Sequence, residues 1–151
     1  FGVLPTLMGG LIGGALSVRL NVFHGLLFAG ALHSLSHIML IVLSYIGYAP
    51  TFLYYTIFFE NITGGIATAI FLLYLSREAH PKYIPTQYAF FTSLWSSATV
   101  LASIGGRIVE WMGSLWPLYY TFCFLLSLPP LFLISKLKKF RMANPGGLSK
   151  E

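Results

Sequence analysis

Charge is what this sequence of 151 residues has least of: four acidic and nine basic residues make up 9% of it, against 56% hydrophobic residues. A water-soluble domain carries about 25% charged residues, so this balance, with a mean hydropathy of +0.77, excludes one and points to an integral membrane protein. Cysteine is nearly absent as well. The single Cys123 can close no internal disulfide and head no metal cluster, and it reads as a small residue of an apolar run. Also missing are a Gly-rich phosphate loop, an HExxH zinc helix and any Ser/His/Asp arrangement, so the sequence offers no enzyme chemistry and calls for no metal or cofactor. The net charge of +5 does not indicate nucleic-acid binding, because the basic residues sit at the ends of apolar runs, where they set topology. The chain starts at Phe1, with neither an initiator Met nor a basic n-region, and is expected to be part of a longer polypeptide.

Five apolar runs are present, at about 2–18, 22–46, 52–75, 88–104 and 115–134. Each can span a bilayer as a helix with some tilt. The expectation is an all-α membrane protein: a transmembrane bundle over 1–135 and a basic tail over 136–151. If that tail is cytoplasmic, strict alternation places eight of the nine basic residues inside, namely Arg19, Arg77, Lys82, Lys136, Lys138, Lys139, Arg141 and Lys150, with Arg107 outside. This is the asymmetry of the positive-inside rule.

The third run holds Phe58-Phe59-Glu60-Asn61-Ile62-Thr63-Gly64-Gly65. Glu60 falls within about one helical turn of the centre of the run. A carboxylate at that depth costs about 2.5–3.5 kcal/mol on insertion scales, so it should face protein or a water-filled cavity. Gly64, Ala67, Thr68 and Phe71 share its face, with Asn61 and Gly65 alongside. Two readings stand: Glu60 couples transport or meets a solute, or Gly64 and Gly65 merely admit a neighbouring helix while a neutral Glu60 is hydrogen-bonded. In the second run His33 and His37 lie at i, i+4, with Ser34 and Ser36 nearby. Without a third ligand they bind no metal; they suit a polar cavity face or interhelical hydrogen bonds. The first run carries Gly9, Gly10, Gly13 and Gly14, two interleaved small-xxx-small pairs for close helix crossing. Pro129-Pro130 should disturb the last helix, and Thr86 is a candidate cap for the fourth.

The ENxxGG element of Glu60 to Gly65, the TQYA element of Thr86 to Ala89, Val109-Glu110, the Gly-rich first helix with its Arg19 turn and an aromatic-rich last helix together resemble the AmpG family of muropeptide permeases. The resemblance implies most of the C-terminal half of a major facilitator fold, with five transmembrane helices and the N-terminal half of the carrier missing. It implies an inner-membrane secondary transporter that imports anhydromuropeptides with protons for peptidoglycan recycling. Its alternatives are a major facilitator carrier of another solute and a truncated fragment that transports nothing. Glu60 is then the expected proton-coupling group, Asn61, Thr68, His33 and His37 the expected substrate contacts, and Gly64 and Gly65 the residues that shape the cavity. His33 and His37 depart from the neutral amides expected in the family. Thr99 stands where an Arg commonly lies, which implies a less anionic substrate.

Overall fold

The computed structural model describes residues 2–78, 83–111, 113 and 115–143. Six helices follow in order: α1 (Val3–Arg19), α2 (Val22–Ile46), α3 (Pro50–Glu78), α4 (Ile84–Ala102), α5 (Gly105–Trp111) and α6 (Trp116–Ala143). Five of them coincide with the five apolar runs, and among the described residues there is no strand. The chain is an all-α membrane protein. Among the described residues three helices are long and apolar enough to cross a membrane on their own, at Val22–Ile46, Pro50–Arg77 and Trp116–Phe140, while Val3–Arg19 is shorter.

Local chemistry sets the helix ends. Asn21 caps α2, its side chain accepting the Phe23 N–H at 3.2 Å. Gly47, at φ 77°, ends α2 in a conformation that side chains with a Cβ rarely adopt. Pro85 falls in the first turn of α4, where its missing N–H costs no bond. One expectation is corrected here: Thr86 lies inside α4, whose N-cap is Tyr83 without a side-chain cap bond. The basic stretch Lys136 to Arg141 is helical, since α6 continues to Ala143. Residues 79–82 of the connection rich in charge and 144–151 of the expected tail lie outside the described residues.

α3 is the central element, packed against α1 on one side and α2 on another; α2 also packs on α6, and α4 meets α3 only briefly. The core is small: Leu26 and Ala29 of α2 against Ile66 and Ile70 of α3, flanked by Leu16, Leu32, Phe71, Tyr74 and Ile134. Large apolar residues elsewhere stay exposed, among them Leu7 and Leu11 on α1 and Phe132 and Leu133 on α6. In a bilayer such faces meet lipid tails or further helices without penalty.

The crossing of α1 and α3 is a contact of backbones. A Cβ on Gly9 would run into the Ile62 carbonyl and sit 3.1 Å from the Gly65 Cα; one on Gly13 would lie 2.8 Å from the Ile66 carbonyl oxygen; one on Gly65 would strike the Thr6 carbonyl. Of the two interleaved glycine pairs, only Gly9 and Gly13 serve this contact, because Cβ atoms on Gly10 and Gly14 would meet open space. The two classes of glycine give opposite expectations. Gly10→Ala should be neutral to stabilising, by up to about 0.5–1 kcal/mol from helix propensity. Gly9→Ala should destabilise by about 1–3 kcal/mol from overpacking. Unfolding of the purified protein by SDS titration, followed by circular dichroism, separates the two; equal effects would mean that this crossing does not form.

Candidate functional site

Helices α1, α2, α3 and α6 enclose a cavity of about 580 Å³. Its wall contains Thr6 from α1, Leu26, Ala29, Gly30, His33 and Ser34 from α2, and Glu60, Asn61, Gly64, Gly65, Ala67, Thr68 and Phe71 from α3; Ser127, Pro130, Leu131 and Ile134 of α6 complete it. Six of the seven residues singled out in the sequence therefore meet at one place. The seventh, His37, sits beside His33 with ring centroids 5.2 Å apart, but off this wall.

The roles of the two adjoining glycines separate. Gly65 provides the close approach to α1, whereas Gly64 faces α2, where an added Cβ would rest 3.5 Å from the His33 Cε1. Gly64 thus leaves room for an imidazole, and Gly65 for a backbone. On α2 the corresponding device is Gly30, where a Cβ would meet Leu131 of α6 at 2.6 Å.

The polar groups on the wall differ in how far the protein already satisfies them. Asn61 is engaged at both ends: its Nδ2 donates to the Ile57 carbonyl at 2.7 Å, and its Oδ1 accepts from the Thr6 hydroxyl at 3.1 Å. The Thr6 hydroxyl also lies 2.8 Å from the Gly2 carbonyl, so one proton serves two acceptors. Asn61 is therefore a clasp between α1 and α3 as well as a cavity residue. Ser127 donates to its own helix, to the Phe124 carbonyl at 2.7 Å. By contrast, the Glu60 carboxylate and the Thr68 and Ser34 hydroxyls have no hydrogen-bond partner among the described residues, and no buried side-chain nitrogen or oxygen among them is left unsatisfied. These three groups are thus open to whatever fills the cavity.

His33 occupies a more constrained position. Its Nδ1 lies 3.2 Å from the Oγ1 of Thr63, a fully buried residue whose hydroxyl is 3.0 Å from the Glu60 main-chain carbonyl. His37 Nδ1 lies 3.0 Å from the His33 carbonyl, an acceptor only, so this nitrogen carries a hydrogen and donates.

Among the described residues the ionisable groups on the wall are Glu60 and His33, and neither Lys nor Arg contributes. Tyr120 of α6 lies within electrostatic reach of Glu60. Thr99 is exposed on α4, away from the cavity wall. Among the described residues no group of three or more His, Cys, Asp or Glu side chains could hold a metal ion. The arrangement offers a solute mainly hydrogen-bond acceptors and hydroxyls against an apolar background.

Thr6, Ser127 and Thr63 were not singled out in the sequence. Thr6 had a usable signal, since it precedes Gly9 and Gly13 by three and seven residues and so shares their helical face. Thr63 had one too, because a Thr four residues before Ala67 beside an intramembrane acid lies next to the functional face. For Ser127 no local pattern distinguishes a cavity wall from a lipid-facing side.

No family model matches the chain. Curated relatives do. The chain is 33% identical over 139 residues to a protein of Rickettsia bellii provisionally named transporter AmpG 1, covering 91% of this chain and 33% of that protein. It is 32% identical over 138 residues to the AmpG 1 protein of Rickettsia prowazekii, covering 91% and 31%, and 32% identical over 147 residues to the AmpG 3 protein of Rickettsia typhi, covering 95% and 34%. The chain spans about a third of the length of the curated relatives it matches. Along nine-tenths of its length this chain is therefore similar to a segment of proteins provisionally named AmpG transporters.

Proposed function

We propose that this chain forms one wall of the solute pathway of an inner-membrane secondary transporter, and that Glu60 carries a coupling proton. The observation that bears most weight is the cavity of about 580 Å³ in which an intramembrane carboxylate has no hydrogen-bond partner among the described residues. Burial disfavours the charged form of a carboxylate, so a group that passes between wet and dry surroundings takes up and releases a proton. Coupling follows where solute binds the two protonation states differently. The membrane potential then contributes about 2.3 kcal/mol per charge per 100 mV.

In this reading Thr68 and His33 contact solute directly and Asn61 does so through its remaining lone pair and N–H. His37 supports His33 from behind, Gly64 keeps space for the His33 ring, and Gly65 fixes the α1 side of the wall. The C-terminal end of α6, with Lys136, Lys138 and Lys139, faces the cytoplasm, in keeping with the positive-inside rule. The remaining helices of a major facilitator carrier close the pathway, since such carriers hold solute at the interface of their halves near the midplane. The protein transports and does not transform its solute.

The solute that the relatives' name supports is an anhydromuropeptide recovered from peptidoglycan. A second reading, a less anionic solute, is favoured by the lack of Lys and Arg among the described residues of the cavity wall.

Uptake of labelled anhydromuropeptide by spheroplasts expressing the intact protein tests both. Glu60→Gln, inserted at normal levels, and a proton uncoupler should each lower uptake at least about tenfold, or roughly 1.4 kcal/mol. No uptake by the unaltered protein would reject this solute in favour of a less anionic one. Uptake that survives Glu60→Gln would remove Glu60 from coupling. Thr68→Val should raise the half-saturating concentration by roughly 2- to 12-fold, the worth of one hydrogen bond of about 0.5–1.5 kcal/mol. An unchanged value would exclude Thr68 from the contact set.

A further inference from the structure

We infer that Thr63 is a positioning residue that fixes the tautomer of His33, so that the imidazole presents Nε2 to the cavity as a hydrogen-bond acceptor. Thr63 never touches the cavity; it is fully buried in the contact between α3 and α2. Its Oγ1 stands between two polar atoms, 3.0 Å from the Glu60 carbonyl oxygen and 3.2 Å from His33 Nδ1. A hydroxyl has one proton to give and lone pairs to receive another. The Glu60 carbonyl can only accept. If Thr63 donates to it, the hydroxyl oxygen receives a proton from His33, which must then be Nδ1–H. If Thr63 instead donates to a bare Nδ1, its bond to the carbonyl is lost.

Only the Nδ1–H tautomer satisfies both contacts at once: Nδ1–H of His33 to Oγ1 of Thr63, and O–H of Thr63 to the Glu60 carbonyl. The hydrogen bond made by one ring nitrogen settles the state of the other. Nε2 is consequently the nitrogen with the lone pair. It has no partner among the described residues, and no buried nitrogen there is left unsatisfied, so Nε2 is accessible. His33 lines the cavity with its ring held over Gly64.

Nε2 and, in its ionised form, the Glu60 carboxylate are then both acceptors on one wall, where no Lys or Arg stands among the described residues. The chemistry this wall recognises is a hydroxyl or amide N–H of the solute. Among the described residues of the wall an anionic group finds no cationic partner. The inference deepens the site described under Proposed function, but its test needs no transport, so either can fail while the other stands.

The test is nitrogen-15 and carbon-13 magnetic resonance of histidine-labelled intact protein in lipid nanodiscs at about pH 8, where an ordinary imidazole is neutral. The His33 signals are those lost in His33→Asn. They should show a protonated Nδ1 and a bare Nε2. Thr63→Val, which keeps the shape and removes the hydroxyl, should abolish the predominance of Nδ1–H, and Thr63→Ser should restore it. A proton on Nε2 in the unaltered protein overturns the proposal. So does a tautomer ratio that Thr63→Val leaves unchanged, and so does a Thr63→Ser protein that behaves like Thr63→Val while retaining the native helix content.

Discussion

The approach of two backbones, α1 onto α3, is the constraint on which the rest depends. Gly9, Gly13 and Gly65 let the helices meet at a distance that no side chain would permit. Lipid tails are as apolar as leucine, so association inside a bilayer rests on packing and hydrogen bonds and gains little from the hydrophobic effect. The crossing brings Thr6 to Asn61 and sets the rotation of α3. Since side chains at i and i+4 share a face, that rotation turns Glu60, Gly64 and Thr68 together towards α2 and α6.

The helix opposite is held in a different way. Gly25 of α2 receives Ile70, and the small core around Leu26, Ala29 and Ile66 closes beside it. The apolar core and the polar cavity are thus successive stretches of one interface between α2 and α3. Where Ile66 and Ile70 project, the gap is filled; where Gly64 stands, it stays open. An acid can remain there because the helix next to it leaves room for solvent or solute, which avoids the cost of sealing a charge in an apolar medium.

Much of this arrangement was legible in the residues. Glu60 could be identified because one carboxylate in a long apolar run is a local anomaly that needs no knowledge of partners. The helical period then placed Gly64, Thr68 and Phe71 with it, and the structure puts all of them on the cavity wall. His37 shows the limit of that reasoning. It shares a helical face with His33, yet one turn along α2 suffices to take it off the wall, and its Nδ1–H turns back to the His33 carbonyl. Periodicity gives the angle around a helix, and depth along a crossing depends on the partner helix. The choice between Gly9/Gly13 and Gly10/Gly14 was hidden for the same reason, since both pairs have identical spacing. The continuation of α6 through Lys136 to Ala143 is not marked by hydropathy, which shows only where apolar residues stop, whereas Leu, Lys and Arg all favour the helix.

The two prolines inside α6 add something that no inventory of side chains contains. Proline has no amide hydrogen, so Pro129 and Pro130 withdraw the donors that the main-chain oxygens of Leu125 and Leu126 would receive four residues on. Pro130 and Ser127 both border the cavity. The released oxygens belong to Leu125 and Leu126, which precede Ser127 in the same turn without lining the wall themselves, and in a bilayer such groups must be satisfied by protein, water or ligand. The helix beside the cavity thus carries backbone polarity at residues whose own side chains are entirely apolar.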